Sequence, residues 1–264
     1  MEIDTEIVAH YAEDREHDRL TARPSLELVR TRVLLERFLP APPASVLDVG
    51  GGPGVHAAWL AGRGYDVHLI DPMPLHVERA LATGGFTAAL GDARHLHEAD
   101  SSYDAVLLLG PLYHLVDRAD RLRALGEARR VVRPGGPVVA VAISRYASVF
   151  DGFFAGFVDR PGFIDLLRDD LRTGLHRNPD RAADFFTTAY FHGADELGAE
   201  VVEAGLVLDA VLPIEGPLHW APGIRERLTD PAQREIVLDV LSTMEADPAI
   251  TNASAHLLAV ARRA

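Results

Sequence analysis

The chain is predicted to adopt an α/β fold built on a doubly wound, mostly parallel sheet of seven strands. Three features of the sequence predict it. Short apolar runs alternate with amphipathic helical segments from residue 45 to 143, a glycine-rich turn follows the first run directly, and Gly, Pro or Asp closes each unit. Strands that alternate with helices form a parallel sheet covered on both faces.

In chain order, residues 4–39 read as two amphipathic helices interrupted at Arg23-Pro24-Ser25, and "PAPPA" (40–44) reads as a stiff linker. "SVLDV" (45–49) is the first strand, followed by a glycine loop and the helix "VHAAWLAGRG". "DVHLI" (66–70) is the second strand, followed by the helix "PLHVERALATG". "FTAAL" (86–90) and "DAVLLLG" (104–110) are the third and fourth. The helix "DRADRLRALGEARRVVR" is stopped by Pro134-Gly135-Gly136, and "PVVAVAI" (137–143) is the fifth strand. Helix starts and stops follow the usual cap and breaker residues. Residues 144–192 then break the alternation with Phe, Gly, Pro and short helical pieces, and read as a helical insertion standing on the sheet beside the N-terminal helical pair. The alternation resumes with the helix "ADELGAEVVEAG", the strand "LVLDAVLPI" (206–214), a helix near 231–246 and the strand "AHLLAVAR" (255–262). The expected division is a helical lid at 1–40, a core at 41–143, a helical cap at 144–192 and completion of the core at 193–264.

Composition narrows the function classes. With 264 residues, 48% hydrophobic and 25% charged, the chain matches an ordinary soluble globular protein. No apolar run reaches the roughly 18 residues that span a bilayer, and the polar, acidic N-terminus lacks the features of a signal peptide, so a cytoplasmic location is expected. The lack of cysteine excludes disulfides, thiolate metal sites and cysteine nucleophiles. A net charge of −13 argues against nucleic acid as a partner. The Arg-rich segment 118–133 is expected to present a solvated face, as is "DLLRDD" (165–170). All 26 basic residues are Arg, which removes lysine-based catalysis. The expected partner is a small molecule, with neither membrane nor nucleic acid involved, and a homo-oligomer remains compatible with the sequence. His95 and His97 in "RHLHEAD" lack further ligand spacing, so no metal is expected.

"LDVGGGPG" spaces Gly50, Gly52 and Gly54 alternately after the first strand. Glycines there permit unusual backbone angles and close approach of a ligand to the main chain. Asp71 ends the second strand, where a carboxylate can grip the hydroxyls of a ribose. Asp92 follows the third strand, where it could accept an adenine amino hydrogen. Asp48, inside the first strand, can orient the glycine loop or meet an ammonium group. All of these sit at the carboxyl edge of adjacent strands, where open α/β sheets bind ligands. A dinucleotide fingerprint would need a third glycine at position 55, which is Val55, and no Lys-Ser/Thr pair forms a P-loop. Adenosine without a pyrophosphate fits better.

Taken together, "VLDVGGGPG…VHLIDPM…GDARHL…YDAVLLLGPLYHL…VRPGGPVVAV" resembles the class I S-adenosylmethionine-dependent methyltransferases over residues 45–143. The resemblance implies S-adenosylmethionine as cofactor and S-adenosylhomocysteine as product. It implies that Asp48, Gly50 and Gly52 surround the methionine portion, that Asp71 holds the ribose, that Met73 packs on adenine, and that Asp92 and Ala93 read the adenine edge. It also implies that Gly110 to His114 lie beside the transferable methyl, and that the last two strands form an antiparallel hairpin. Tyr11 and Arg19 resemble lid residues that close over the cofactor.

A sulfonium already activates its methyl group, so the protein's task is alignment and exclusion of water, with a base where the acceptor loses a proton. His114 is the expected base, helped or replaced by Tyr190 or His192, and Tyr113 is expected to pack on cofactor or substrate. Gly110 stands where nucleobase amino-methyltransferases carry Asn or Asp, which disfavours a nucleic-acid substrate. Arg145, Tyr146, Phe154 and His176 are expected to wall an acceptor pocket together with neighbouring aromatics. The function expected is methyl transfer to a small aromatic or apolar molecule, with secondary metabolism as its setting. The rivals are a nicotinamide oxidoreductase and a non-catalytic module that retains the cofactor.

Overall fold

The computed structural model describes Glu6, residues 25–178 and residues 185–264; Tyr11 and Arg19 lie outside the described residues. Ser25 caps the first described helix, α1 (Leu26–Phe38), its hydroxyl accepting from the Leu28 amide at 3.1 Å. That cap satisfies one of the orphan amides of the first turn. Leu26, Arg30, Thr31, Leu34 and Leu35 recur at helical spacing and form the buried face.

Strands β1 (Ser45–Val49), β2 (Asp66–Asp71), β3 (Thr87–Leu90), β4 (Ala105–Leu108) and β5 (Pro137–Ser144) pair in parallel in the order β3-β2-β1-β4-β5. Helices α2 (Val55–Ala61), α3 (Pro74–Thr83), the single turn α4 (Pro111–His114) and α5 (Arg118–Val131) connect them. Alternate residues of β1 and β4 face opposite sides. Leu47, Val49, Val106 and Leu108 meet Leu125, Ala128 and Val131 of α5. Val46, Ala105 and Leu107 meet Leu34 and Leu35 of α1 and Leu60 of α2 on the other face. Buried on both faces, these strands could only be near-continuous apolar runs.

The insertion contains helices α6 (Ala147–Phe154) and α7 (Phe163–Thr173), and also two strands, β6 (Leu175–His176) and β7 (Ala189–His192). β7 pairs in parallel with the tip of β5, Ile143 opposite Phe191 and Ser144 opposite His192, and β6 pairs antiparallel with β7. The expectation of a purely helical insertion is therefore corrected, and the sheet has nine strands among the described residues rather than the expected seven. The cause is a difference in strand length. β4 stops at Leu108, level with Ala140, so the next residues of β5 leave edge hydrogen-bonding groups that β7 satisfies.

Beyond the insertion, α8 (Ala194–Glu203) leads to β8 (Val207–Pro213); α9 (Ile224–Thr229), α10 (Pro231–Met244) and α11 (Pro248–Thr251) precede β9 (His256–Arg262). β9 lies antiparallel to both β5 and β8, the hairpin expected from the resemblance. No helix among the described residues is long and apolar enough to cross a membrane.

Two expected solvated faces each contain a buried charge. Arg121 of α5 is 1% exposed, and Asp170 of "DLLRDD" is fully buried. Each is drawn inward by partners on other elements, Glu200 for Arg121 and Ser148 with His176 for Asp170.

Candidate active site

A cavity of about 290 Å³ opens at the carboxyl ends of β1, β2, β3 and β4. This is the switch point of strand order, where connections on either side of β1 leave in opposite directions and a crevice must form. Asp48, Gly50, Gly52, Asp71, Met73, Asp92, Ala93, Gly110, Tyr113 and His114 all line it.

The glycine loop is tight for reasons seen in its contacts. Gly50 adopts φ +69°, and a Cβ there would stand 2.8 Å from Pro111 Cδ. Gly52, at φ +57°, has open space where its Cβ would be, and its amide donates to Asp71 Oδ2 at 2.9 Å. Asp71 Oδ1 accepts from the Met73 amide at 2.9 Å and lies 3.0 Å from His76 Nδ1. Asp71 thus ties the glycine loop to the turn after β2. Gly110 is also explained by crowding, because a Cβ there would lie 3.0 Å from the Gly50 carbonyl oxygen.

Asp48 is 1% exposed, and neither of its carboxylate oxygens has a hydrogen-bond partner. Burial, reinforced by the nearby Asp71 charge, pushes its carboxyl up to about 7. A buried acid in this condition is an acceptor prepared for a cation. At Asp92, burial alone would raise the carboxyl, yet hydrogen bonds from the Arg94 amide (2.9 Å) and from Arg94 Nε and Nη2 (3.0 and 2.7 Å) hold it below the usual range. Arg94 Nη1 reaches across to Asp120 Oδ2 at 2.7 Å, fixing the cavity's rim.

The opposite wall is α4. Leu112 is fully buried and anchors the turn, which leaves Tyr113 and His114 at the cavity. Their rings meet edge to face at 4.6 Å between centroids. Phe186 packs beside both, 6.4 Å from Tyr113 and 6.0 Å from His114. His56 also lines the cavity, and burial, followed by the Arg32 charge, lowers its imidazole to about 4.

Among the described residues, the other expected site residues do not line the cavity. Tyr190 and His192 stand two apart on β7, so they share one face, and that face is turned to α8 rather than to the cleft. His192 is fully buried, with Nε2 3.3 Å from Glu200 Oε2. The Tyr190 hydroxyl donates to Glu196, and its ring lies 3.7 Å below the Arg121 guanidinium. Burial and the Glu196 carboxylate raise the Tyr190 phenol. Arg145 Nε donates to the Phe191 carbonyl at 2.7 Å, and its Nη2 pairs with Glu196 at 2.7 Å. His176 is buried, 2.9 Å from Asp170 and 3.2 Å from the Phe186 carbonyl oxygen. Tyr146 and Phe154 are exposed, Phe154 stacking on Trp220. The expected catalytic roles of Tyr190 and His192, and the expected wall of Arg145, Tyr146, Phe154 and His176, are corrected on these grounds.

Sequence reasoning missed His56, His76, Arg94, Leu115, Val116 and Asp120. Only "GDAR" carried a local hint, since an Arg two residues after an acid can fork back onto it. Glu27, which also lines the cavity, brings potential ligand atoms within 4.8 Å of those of Glu215 and His256. Hydrogen bonding accounts for Glu215: it accepts from the Ser254 hydroxyl and the His256 amide, both at 3.0 Å, and faces His256 Nδ1 at 2.7 Å.

Comparison with known proteins places the chain among relatives. A family model described as "Methyltransferase domain" matches residues 46–136. An uncharacterized methyltransferase of Mycobacterium sp. (strain JLS) is 40% identical over 191 residues, 69% of this chain and 71% of that protein. An uncharacterized methyltransferase of Mycobacterium tuberculosis (strain ATCC 25618 / H37Rv) is 43% identical over 104 residues, 39% of this chain and 41% of the relative's own length. The chain therefore matches less than half the length of that second relative. Among solved structures, a SAM-dependent methyltransferase from Methanosarcina mazei superposes with a TM-score of 0.59 at 18% identity, covering 87% of this chain and 96% of that one, a likeness of fold.

Proposed function

Because the chain belongs to the class I S-adenosylmethionine-dependent methyltransferases, we propose that it transfers the methyl group of S-adenosylmethionine to an oxygen, nitrogen or carbon atom of a small aromatic or apolar molecule. The observation that carries this reading is the cavity in which Asp48, Asp71 and Asp92 are brought together with the Tyr113–His114 turn.

The residues fit the cofactor. Asp48 supplies a buried, partnerless carboxylate for the ammonium group, and the open face of Gly52 admits a ligand against the main chain. Asp71 keeps lone pairs for the ribose hydroxyls, Met73 packs on adenine, and Asp92 with Ala93 meets the adenine edge. Gly50 and Gly110 keep the loop and the end of β4 in contact behind it. When bound, the cofactor supplies an electrophilic methyl group on a cationic sulfur. Tyr113 and His114 then hold the acceptor in line and keep water away. Where the acceptor is a hydroxyl, an amine or an acidic C–H, His114 takes its proton, since an imidazole titrates near neutrality. The apolar lining from Leu109, Leu115 and Val116 supports an apolar acceptor.

Incubation with methyl-tritiated S-adenosylmethionine and a panel of phenols, aromatic amines and activated carbon acids tests the reading. Label should pass into an organic-extractable product with at least one acceptor class. Tight cofactor binding with no transfer to any of them would contradict it.

A further inference from the structure

Behind the Tyr113–His114 turn lies a buried ionic assembly that contains both residues the sequence had nominated as helpers in catalysis. Arg121 and Glu200 face each other from α5 and α8, at 1% and 0% exposure. Arg121 Nε reaches both Glu200 oxygens, at 3.2 and 2.9 Å, and Nη2 reaches Oε1 at 2.7 Å. The other limb points toward the cavity wall: Nη1 donates to the carbonyl oxygens of Leu115 and Val116, at 3.0 and 2.8 Å. The Tyr190 ring supports the guanidinium plane from below, and His192 Nε2 lies 3.3 Å from the second Glu200 oxygen.

A buried ion pair gives little net stability compared with a well-packed apolar pair of the same size. What an apolar pair could not do here is hold two consecutive carbonyls. Leu115 and Val116 follow His114 directly, and all three line the cavity. Only a planar, forked donor can hold a carboxylate and two carbonyls at once, so lysine would not substitute. We infer that Arg121, seated by Glu200, His192 and Tyr190, is a positioning residue that sets the 114–116 wall of the cavity, and through it the placement of His114 and the grip on the ligand. The inference rests on the reading that this cavity takes S-adenosylmethionine and its product. It accounts for a tyrosine and a histidine at the end of the insertion that never reach the cavity.

The test uses Arg121→Lys, the double variant Arg121→Met/Glu200→Leu, and the control Glu203→Gln. The double variant replaces the ion pair with apolar bulk and so keeps the fold if the lysine variant does not. The control breaks the exposed Arg118–Glu203 pair between the same two helices. Two readouts are taken on folded protein: calorimetric affinity for S-adenosylhomocysteine, and the imidazole resonances of 15N-histidine-labelled protein, with His114 assigned from a His114→Gln sample. The expected result is S-adenosylhomocysteine affinity about tenfold or more weaker in both Arg121 variants, with the His114 resonances displaced and those of half-buried His68 on β2 unmoved. The control should bind within about twofold of the parent. Affinity and His114 resonances at parent values in a folded Arg121 variant would overturn the inference. Should the parent protein itself bind no S-adenosylhomocysteine, the functional reading fails; the His114 resonances then decide the positioning role alone, displaced supporting it and unmoved overturning it.

Discussion

Replacing His114 with alanine is expected to slow methyl transfer by ~10²–10⁴-fold while S-adenosylhomocysteine affinity stays within about twofold. The expectation follows from where the side chain stands. Leu112 is locked in the core, so the one-turn helix α4 cannot rotate, and His114 lies at the cavity opposite the carboxylates that suit the cofactor. Tyr113 and Phe186 flank its ring, which limits its rotamers. A group so held can act on the acceptor without bearing on cofactor affinity. His114→Asn keeps bulk and hydrogen bonding but has no base of the right strength, so it should be as slow as the alanine variant for acceptors that lose a proton. Steady-state rates with the acceptor found in the tritium panel, beside calorimetry, check this. Equal losses of affinity and rate would make His114 a cofactor ligand instead.

Asp71→Asn is expected to weaken S-adenosylhomocysteine binding about 10²-fold. Asp71 accepts from two backbone amides, Gly52 and Met73, and also faces His76 Nδ1. A carboxamide turns one of those oxygens into a donor, so one amide of the glycine loop or of the β2 turn loses its acceptor. The ribose hydroxyls lose a charged acceptor as well. Hydrogen bonds to charged groups contribute about 1.5–3 kcal/mol each, so the loss of one or two accounts for a two-decade effect. Calorimetry on folded variant, with thermal melting as a control for the loop, measures it. Affinity within about threefold of the parent would remove Asp71 from the ribose.

The parallel core and the glycine-loop side of the cavity were legible because their signals are local. A strand that ends in Gly-x-Gly-x-Gly has few backbone options, and Asp71 and Asp92 fall at strand ends whatever else the chain does. The opposite wall was legible only at Tyr113 and His114, for the same reason. Tyr190 and His192 were misassigned because their direction depends on a long-range event. β7 docks on the part of β5 that β4 leaves unpaired, and the pleat then turns both side chains toward α8. No periodicity within four residues could announce that. Arg121 was misread as solvated for a related reason. Its partner Glu200 is 79 positions away, and a charge pattern on one helix cannot show which charge another helix will bury. Arg94 lies between these cases, since its hold on Asp92 is local but its reach to Asp120 is not.

The cavity beside the glycine loop is proposed to take an adenosyl ligand with a free ammonium group. Calorimetric titration of S-adenosylhomocysteine, and separately of NAD, into the protein near pH 7 in buffers of different ionisation enthalpy decides this. With its carboxyl pushed up to about 7, Asp48 is about half protonated there, and an ammonium group beside it would favour the ionised form. S-adenosylhomocysteine should bind one-to-one with release of a fraction of a proton, a release that Asp48→Asn abolishes, and NAD should give no heat. Binding of NAD in preference to S-adenosylhomocysteine, or no binding of S-adenosylhomocysteine at all, would contradict it.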